Sequence, residues 1–226
     1  PGLMSRPVSP GRAVHIPDGF VSTPVAVAGA AMAVVGLTIC VRRAGQDGTE
    51  RQLPLAGLVA AFFLVVGAPI IPVAVGTSGH LLGGTLAVAL LGPWLGPVVI
   101  TVVTVAQALF LGDGGVSALG VNVVNLALVP AAVGYPLLLG LRRVLPWRPA
   151  GLTVAAGVAA VVSVLAAAVL FTVEYALGGA VGVPLHTVAG SVIGVYALVA
   201  LFEGLVTAVV VRSLLALRAD LVRVAP

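Results

Sequence analysis

The amino-acid sequence predicts an all-α protein that crosses a membrane several times, and three observations support this. Hydrophobic residues make up 60% of the 226 positions, charged residues make up only 8%, and the mean hydropathy is +1.22. A chain of this length with so few charges cannot cover the surface of a soluble globule. All of the arginines lie outside the long apolar runs, in the shorter segments between and beside them.

The apolar runs have the length of membrane-spanning helices. A bilayer core of about 30 Å requires roughly 20 apolar residues in a helix, and by that length the chain contains about seven spans. The third is short and rich in glycine, so we expect it to be tilted, partly re-entrant, or continued by irregular backbone buried in protein. The predicted segments lie near 23–41, 55–72, 80–92, 94–112, 118–141, 150–177 and 187–211.

The arginines indicate how the chain is oriented. All 11 basic residues are arginine, and the formal net charge is +4. In a soluble protein this charge would suggest a nucleic-acid partner, but here the arginines follow the first, fifth and seventh segments, which end on one side of the bilayer. The positive-inside rule makes that side cytoplasmic, with the N-terminus outside and the C-terminus inside. The three clusters are Arg42, Arg43 and Arg51; Arg142, Arg143 and Arg148; and Arg212, Arg218 and Arg223.

The chain predicts one membrane domain, 14–226, preceded by an arm. Residues 1–13 contain Pro, Gly and Ser but no apolar core of a signal peptide, so we expect a disordered arm. The longest hydrophilic stretch inside the domain, 42–52, is too short to fold alone, and the chain has no phosphate-binding loop motif. An ATP site is therefore not expected here. Cys40, the single cysteine, is predicted to be a small core residue.

The histidines suggest a metal site at the predicted outer end. His15 lies in Val-His-Ile-Pro-Asp-Gly-Phe, and His80 lies in Gly-Thr-Ser-Gly-His-Leu-Leu-Gly-Gly. Two imidazoles that converge in an apolar protein suggest a borderline transition metal, because imidazole suits nickel, copper, zinc and cobalt far better than magnesium or calcium. For either histidine alone, a hydrogen-bonded interfacial role is a good alternative. His186 follows Pro184 outside any motif and is interpreted as a loop histidine.

Six sequence blocks, in this order, resemble the substrate-binding membrane subunit of nickel and cobalt energy-coupling factor (ECF) importers, the CbiM/NikM family. The resemblance covers Val14 to about Val211. It implies a seven-helix bundle in a bacterial or archaeal plasma membrane that captures Ni(II) or Co(II). The partners it implies are an ECF transmembrane coupling subunit, a pair of cytoplasmic ATPases and, optionally, a small accessory membrane subunit. The blocks are 15–20, 76–84, 91–94, 112–115, 120–125 and 203–208.

The resemblance also implies a ligand set. In that family a free N-terminal amine, the backbone nitrogen and imidazole of the next residue, and a second imidazole hold the metal, which gives Val14, His15 and His80 here. Such donors form fused chelate rings and a square plane suited to Ni(II). A free amine at Val14 requires the chain to begin there, so we expect translation to start at that codon, read as methionine. Trimming by a peptidase, or a site with only two imidazoles, are the alternatives.

Several residues are predicted to support this site. Pro17 fixes the turn after the ligands, and Asp18 with Gly19 lets the chain bend while the carboxylate accepts local hydrogen bonds. Asn122 and Asn125 share one helical face, so they either bond neighbouring helices or orient His80. The predicted positioning residues are Pro17, Asp18, Ser78, Asn122 and Asn125.

Two further features are candidates for coupling to a partner. Glu203 lies inside the last segment, where a carboxylate serves either helix packing or coupling. Ala26 and Ala30 are part of a small-residue face that permits close helix contact, with either the coupling subunit or the chain's own helices. Glu174, nearer the outer end, is expected to be interfacial.

The sequence therefore predicts a binding and translocation subunit for Ni(II) or Co(II) rather than an enzyme. The alternative is a gradient-driven secondary divalent-metal carrier or channel, which several intramembrane acids along a path would favour. A membrane hydrolase built on Ser78 and His80 lacks an acid to orient the imidazole. Nickel and cobalt both accept nitrogen ligands, so the sequence does not choose between them.

Overall fold

The computed structural model describes residues 15–46, 52–67, 71–74, 77–79, 81–146 and 148–224. The predicted arm, 1–13, lies outside the described residues, as do Val14 and His80. Helices form most of the described chain. They are α1 Thr23–Gln46, α2 Leu53–Gly67, α3 Gly84–Ala106, α4 Leu119–Val123, α5 Tyr135–Val144, α6 Pro149–Gly178 and α7 Leu185–Leu217.

Five helical stretches of the described chain are long and apolar enough to cross a membrane. They are Thr23–Gln46, Gly84–Leu111, Leu119–Val144, Pro149–Gly178 and Leu185–Leu217. A π-helical turn extends α3 to Leu111, and two more lie between α4 and α5. With 15 residues, α2 is shorter. A multi-pass helical membrane protein is thus confirmed, whereas the count of seven spans stays a prediction.

The helical class is confirmed, and the described residues add one short hairpin that the sequence did not predict. Strands β1 Ile71–Ala74 and β2 Thr77–Gly79 pair antiparallel, with Ile71 opposite Gly79. The predicted second segment extended to residue 72, but α2 already ends at Gly67. Prolines at 69 and 72 explain the early end, because proline has no amide hydrogen and its ring clashes with the preceding helical turn.

A tight turn divides α3 into two antiparallel arms. Gly92 has a left-handed φ of 84°, and a Cβ placed on Gly96 would lie 3.0 Å from the Cα of Val88. In a continuous helix, residues eight apart are separated by about 12 Å along the axis. The chain therefore folds back at Gly92, the last residue of the predicted segment 80–92, just before the predicted segment 94–112.

Contacts distinguish two ends of the bundle. At one end the Ser22 amide donates to the Gly178 carbonyl at 2.7 Å, which joins the start of α1 to the end of α6. At the other end the Arg43 guanidinium lies 6.0 Å from the centre of the Trp94 ring, beside the turn at Gly92. A Cβ on Gly92 would also meet the Arg223 side chain at 2.8 Å. Arg43 and Arg223 therefore both lie beside the turn at Gly92, at the end of the bundle opposite to His15, and the orientation of this end in a membrane stays a prediction.

Small residues allow the helices to approach closely. Ala155, Ala156, Ala159 and Ala160 of α6 are completely buried in the core. In α1, Gly29 packs against Val121, and the backbone of Ala30 packs against Gly120 of α4. Internal packing thus uses part of the small-residue face, and a coupling role for Ala26 and Ala30 stays a prediction. Cys40 is buried, as expected.

Candidate metal site

His15 opens the described chain and is almost completely buried, at 2% exposure. Its Nδ1 donates to the Asp113 carbonyl oxygen at 2.9 Å and lies 3.5 Å from the Asp113 carboxylate. Asp113 follows the π-helical turn that ends the second arm of α3. The contact therefore joins residues 98 positions apart, a pairing that the sequence did not predict.

Two consecutive glycines form a cradle for the segment that bears His15. Gly114 has a φ of 96°, and a Cβ there would lie 3.0 Å from the His15 Cβ and 3.2 Å from its Nδ1. The Gly115 amide donates to the Ile16 carbonyl at 2.9 Å, and a Cβ on Gly115 would collide with the backbone of Asp18. Backbone can approach this closely only where side chains are absent. The sequence showed the Gly112–Gly115 block but not this role.

Asn122 holds the same segment from α4. Its Oδ1 accepts from the Ile16 amide at 2.8 Å, and its Nδ2 donates to the Ile16 carbonyl at 3.1 Å. Asn122 is therefore a positioning residue for the backbone next to His15, and the described contacts connect it to that segment rather than to the His80 loop.

Asn125, one turn further along, belongs to a second buried contact. Its Nδ2 donates to Glu174 Oε2 at 2.7 Å. The expectation that Glu174 is interfacial was wrong, because the side chain is buried at 5% exposure against Asn125. Asn122 and Asn125 thus serve two different contacts although they are only three residues apart.

The turn at Pro17 forms as predicted, but the Asp18 carboxylate bonds elsewhere. The Phe20 amide donates to the Pro17 carbonyl at 3.3 Å, and Gly19 has a φ of 73°. The hydroxyl and amide of Ser117 both donate to Asp18 Oδ1, at 2.6 and 2.7 Å. The prediction of local bonds was therefore wrong. These bonds, the hydroxyl's first, hold the pKa of Asp18 below its usual value.

Aromatic packing completes the enclosure of the segment. The Phe20 ring lies 5.7 Å from the Phe171 ring and 5.1 Å from the Tyr175 ring, both on α6. The Ala180 amide donates to the Phe20 carbonyl at 3.0 Å. The segment is thus fixed between the start of α4 and the end of α6.

The loop that carries the second predicted imidazole is described from Leu81 onward. Leu81 and Gly83 are buried and not helical, as expected for irregular backbone leading into the third segment. Glu203 of α7 accepts the Leu82 amide at 2.9 Å and the Gly83 amide at 2.7 Å. Ser78 lies in β2, and its side chain is outside what the structure describes.

The described residues supply part of the predicted ligand set. Of that set His15 is described, whereas Val14 and His80 lie outside the described residues. Among the described residues, no three His, Cys, Asp or Glu side chains come close enough together to hold a metal ion. His186 is the second residue of α7 and is exposed, so the interpretation as a loop histidine was wrong. Pro184 explains this, since proline commonly precedes or opens a helix.

The position of Nδ1 matters for metal chemistry. A backbone nitrogen and the Nδ1 of the same histidine close a six-membered chelate ring, whereas Nε2 points away from that backbone. The predicted binding mode therefore uses the very nitrogen that donates to Asp113. A metal bound at Nδ1 would take the place of this hydrogen bond, and the Asp113 carboxylate, 3.5 Å from Nδ1, would then supply negative charge near the cation.

The five membrane-length helices of the described chain define a multi-pass membrane protein. The family described as the cobalt uptake substrate-specific transmembrane region matches residues 15–221. The chain belongs to this family, which confirms the CbiM/NikM resemblance. It is a transport protein and not an enzyme.

Known relatives agree with this assignment. A putative metal transport protein of Haloquadratum walsbyi is 34% identical over 209 residues, which are 92% of this chain and 93% of that one. The fused nickel transport protein of Rhodobacter capsulatus is 35% identical over 186 residues, which are 76% of this chain and 51% of that one. The crystal structure of a truncated transition metal transporter is similar, with a TM-score of 0.79, 26% identity and coverage of 89% of this chain and 98% of that one.

Proposed function

We propose that this chain captures Ni(II) or Co(II) outside the cell and passes it across the membrane as the substrate-specificity component of an ATP-driven ECF-type importer. The observation that carries the proposal is the buried His15, held by Asp113 in a cradle of two glycines. A histidine enclosed in this way is preorganised to bind a borderline metal. His80 supplies the second imidazole, and the amine of residue 14 supplies the terminal nitrogen.

The direct test is calorimetry with Ni(II) or Co(II) on the purified protein. His15→Ala and His80→Ala should each lose high-affinity binding, by at least about 100-fold, because losing a ligand exceeds the 10–100-fold expected for its supporting partner. His186→Ala is the matched control, since this exposed histidine on α7 should leave binding unchanged. Wild-type affinity in the His80→Ala protein would contradict the shared site.

The amine ligand makes the start of the chain part of the proposal. If Ala13 precedes Val14, the nitrogen of residue 14 is an amide, which is a much poorer ligand unless it is deprotonated. We expect forced retention of 1–13 to weaken metal binding by at least about 100-fold. Intact-mass measurement of the natively expressed protein tests this, and a mass that includes 1–13 together with undiminished uptake would reject the amine ligand.

The proposed topology has seven spans, with the N-terminus outside and the C-terminus inside. A cysteine at Ala180, beside the Phe20 carbonyl, should react with an impermeant thiol reagent on intact cells. A cysteine at Gln46, the last residue of α1, should not react. The reverse pattern would overturn the orientation.

The proposed partners are an ECF transmembrane coupling subunit, a cytoplasmic ATPase pair and, optionally, a small accessory membrane subunit. The fused nickel transport proteins among the relatives support this, because their names indicate that a chain of this kind is joined to a second component. Uptake by proteoliposomes should require those subunits and ATP in addition to this chain.

A gradient-driven carrier is the second candidate, and the burial of Glu174 favours it. The described membrane interior holds two buried carboxylates, Glu174 and Glu203, where the sequence suggested only one. A carrier would take up metal in proteoliposomes that contain this chain alone with an imposed ion gradient. An importer subunit would bind metal there without transporting it.

A further inference from the structure

Glu203 makes a specific long-range contact that helix packing alone does not require. The carboxylate, on the α7 span, is 1% exposed. Its two oxygens accept the amides of consecutive residues, with Oε2 bound by Leu82 and Oε1 by Gly83. The contact joins positions 120 residues apart. One carboxylate thus holds two neighbouring amides of the loop.

The contact also lies at the N-terminus of the first arm of α3. Gly83 is the residue before this helix, and the amides there lack carbonyl partners within the helix. The partial positive charge of a helix N-terminus attracts a carboxylate, and hydrogen bonds to a charged acceptor are stronger than neutral ones. Glu203 therefore fixes both the loop backbone and the direction in which the helix leaves it.

The loop has little freedom to adopt another path here. Gly83 has a φ of 74°, a conformation that other residues rarely adopt, and a Cβ on it would collide with the ring of Phe63. Phe63 is itself buried at 1% exposure. Phe63 on one side and Glu203 on the other thus confine the backbone that immediately follows His80 in the sequence.

We propose that Glu203 is a positioning residue for His80, acting through the Leu82 and Gly83 amides that its carboxylate holds. This rests on the proposed function, in which His80 is a metal ligand. Two peptide units separate His80 from Leu82, so we expect a fixed Leu82 amide to limit how far the backbone of residue 80 can move. Groups that orient a ligand typically change metal affinity by 10–100-fold when they are removed.

The experiment measures Ni(II) affinity of the full chain by calorimetry for four variants. Glu203→Ala should bind about 10–100-fold more weakly than wild type. Glu203→Gln should fall between the two, because its one carbonyl oxygen accepts only one of the two amides. Thr207→Val is the matched control on the next turn of α7. Thr207 is equally buried, and its hydroxyl has no hydrogen-bond partner among the described residues, so its replacement should leave affinity unchanged.

The fourth variant, His80→Ala combined with Glu203→Ala, separates this proposal from the proposed function. If Glu203 acts through His80, the double variant should bind no more weakly than His80→Ala alone, within about threefold. The absorption band of bound Ni(II) at saturation should be unchanged in Glu203→Ala and shifted in His80→Ala, because only the latter changes the ligand set.

The outcomes are distinct. Wild-type affinity in Glu203→Gln and Glu203→Ala, or additive losses in the double variant, would overturn the positioning role while His80→Ala still loses binding. Wild-type affinity in His80→Ala would instead reject the proposed site. If Glu203→Ala does not fold, as judged by its thermal transition and gel filtration, Glu203→Gln decides the question.

Discussion

The two halves of the candidate metal site are held in different ways. The N-terminal segment is fixed by many separate contacts, from Asp113, Gly115, Asn122, Ser117 and the Phe171 ring. The loop before α3 is fixed by Glu203 on one side and by the fit of Gly83 against Phe63 on the other. Because several contacts hold the N-terminal segment, the others should keep it in place when one is lost, whereas the loop depends on two. A single substitution should therefore lower metal affinity more when it is made at the loop than at the segment.

Among the substitutions that test this comparison, the largest loss of stability is expected from Gly83→Ala. The new Cβ meets the Phe63 ring, and the left-handed φ of 74° strains any residue with a side chain. Strain of about 1–2 kcal/mol and overpacking of about 1–3 kcal/mol should add. We expect a clearly lower thermal transition and at least tenfold weaker metal binding.

Gly19→Ala is the matched control in the other half of the site. Gly19 has nearly the same φ, 73°, but nothing lies within 4 Å of a Cβ there. Only the strain of about 1–2 kcal/mol should remain, with metal affinity unchanged. Equal destabilisation by Gly83→Ala and Gly19→Ala, measured side by side, would show that Phe63 does not confine the loop.

Gly114→Ala should have the next largest effect, this time on the N-terminal segment. Its Cβ would lie 3.0 Å from the His15 Cβ and 3.3 Å from Asn122 Nδ2, and the φ is 96°. We expect about 1–2 kcal/mol of strain and metal binding weakened by about tenfold, because the new methyl group displaces the ligand itself. A variant with normal Ni(II) affinity in calorimetry would mean that the cradle does not determine the position of His15.

Asn122→Leu tests how far the contacts of the N-terminal segment compensate for one another. It removes the two hydrogen bonds to Ile16, and each buried group left without a partner costs about 1–3 kcal/mol. The Gly115 amide still bonds the Ile16 carbonyl, so the loss of metal affinity should stay below that of Glu203→Ala. If Asn122→Leu instead bound metal more weakly than Glu203→Ala, the N-terminal segment would not be the more robustly held half of the site.

The smallest effect is expected from the Asp18 contact with Ser117. Asp18 is exposed and its pKa is lowered in the folded protein, so its stabilisation is present above the usual carboxyl pKa of about 4. It is lost as the pH falls through the lowered value. Asp18→Ala should therefore reduce stability slightly at pH 7, and thermal unfolding of the two proteins should converge in strong acid. A difference that grows as the pH falls would contradict this sign.

The sequence predicted the local features of this molecule well. The apolar runs located the helices, the turn at Gly92 falls at the predicted end of the third segment, and the Pro17 turn formed as expected. These features follow from residues that are neighbours in the chain. The hairpin formed by β1 and β2 was not predicted, because the apolar residues before and within β1 were assigned to the end of the preceding helix despite the prolines there.

The partners of the site residues were harder to predict. Asp18 was expected to bond locally and Glu174 to lie at an interface, yet they bond Ser117 and Asn125. For Glu203 the sequence offered helix packing or coupling to a partner, and neither alternative included its contact with the loop before α3. These contacts join residues roughly 50–120 positions apart, and only the packing of the whole bundle decides them. The paired glycines at 114 and 115 are a sequence signal that could have indicated this close approach, although no such role was predicted for them.

X-ray absorption at the nickel edge tests the central claim most directly, because it counts the imidazoles bound to one metal ion. In the wild-type chain loaded with one Ni(II), we expect the outer-shell scattering of two imidazole rings. His15→Ala and His80→Ala should each show one ring, and His186→Ala should show two. A single ring in the wild type, or two rings retained in His80→Ala, would contradict a metal shared between the N-terminal segment and the loop.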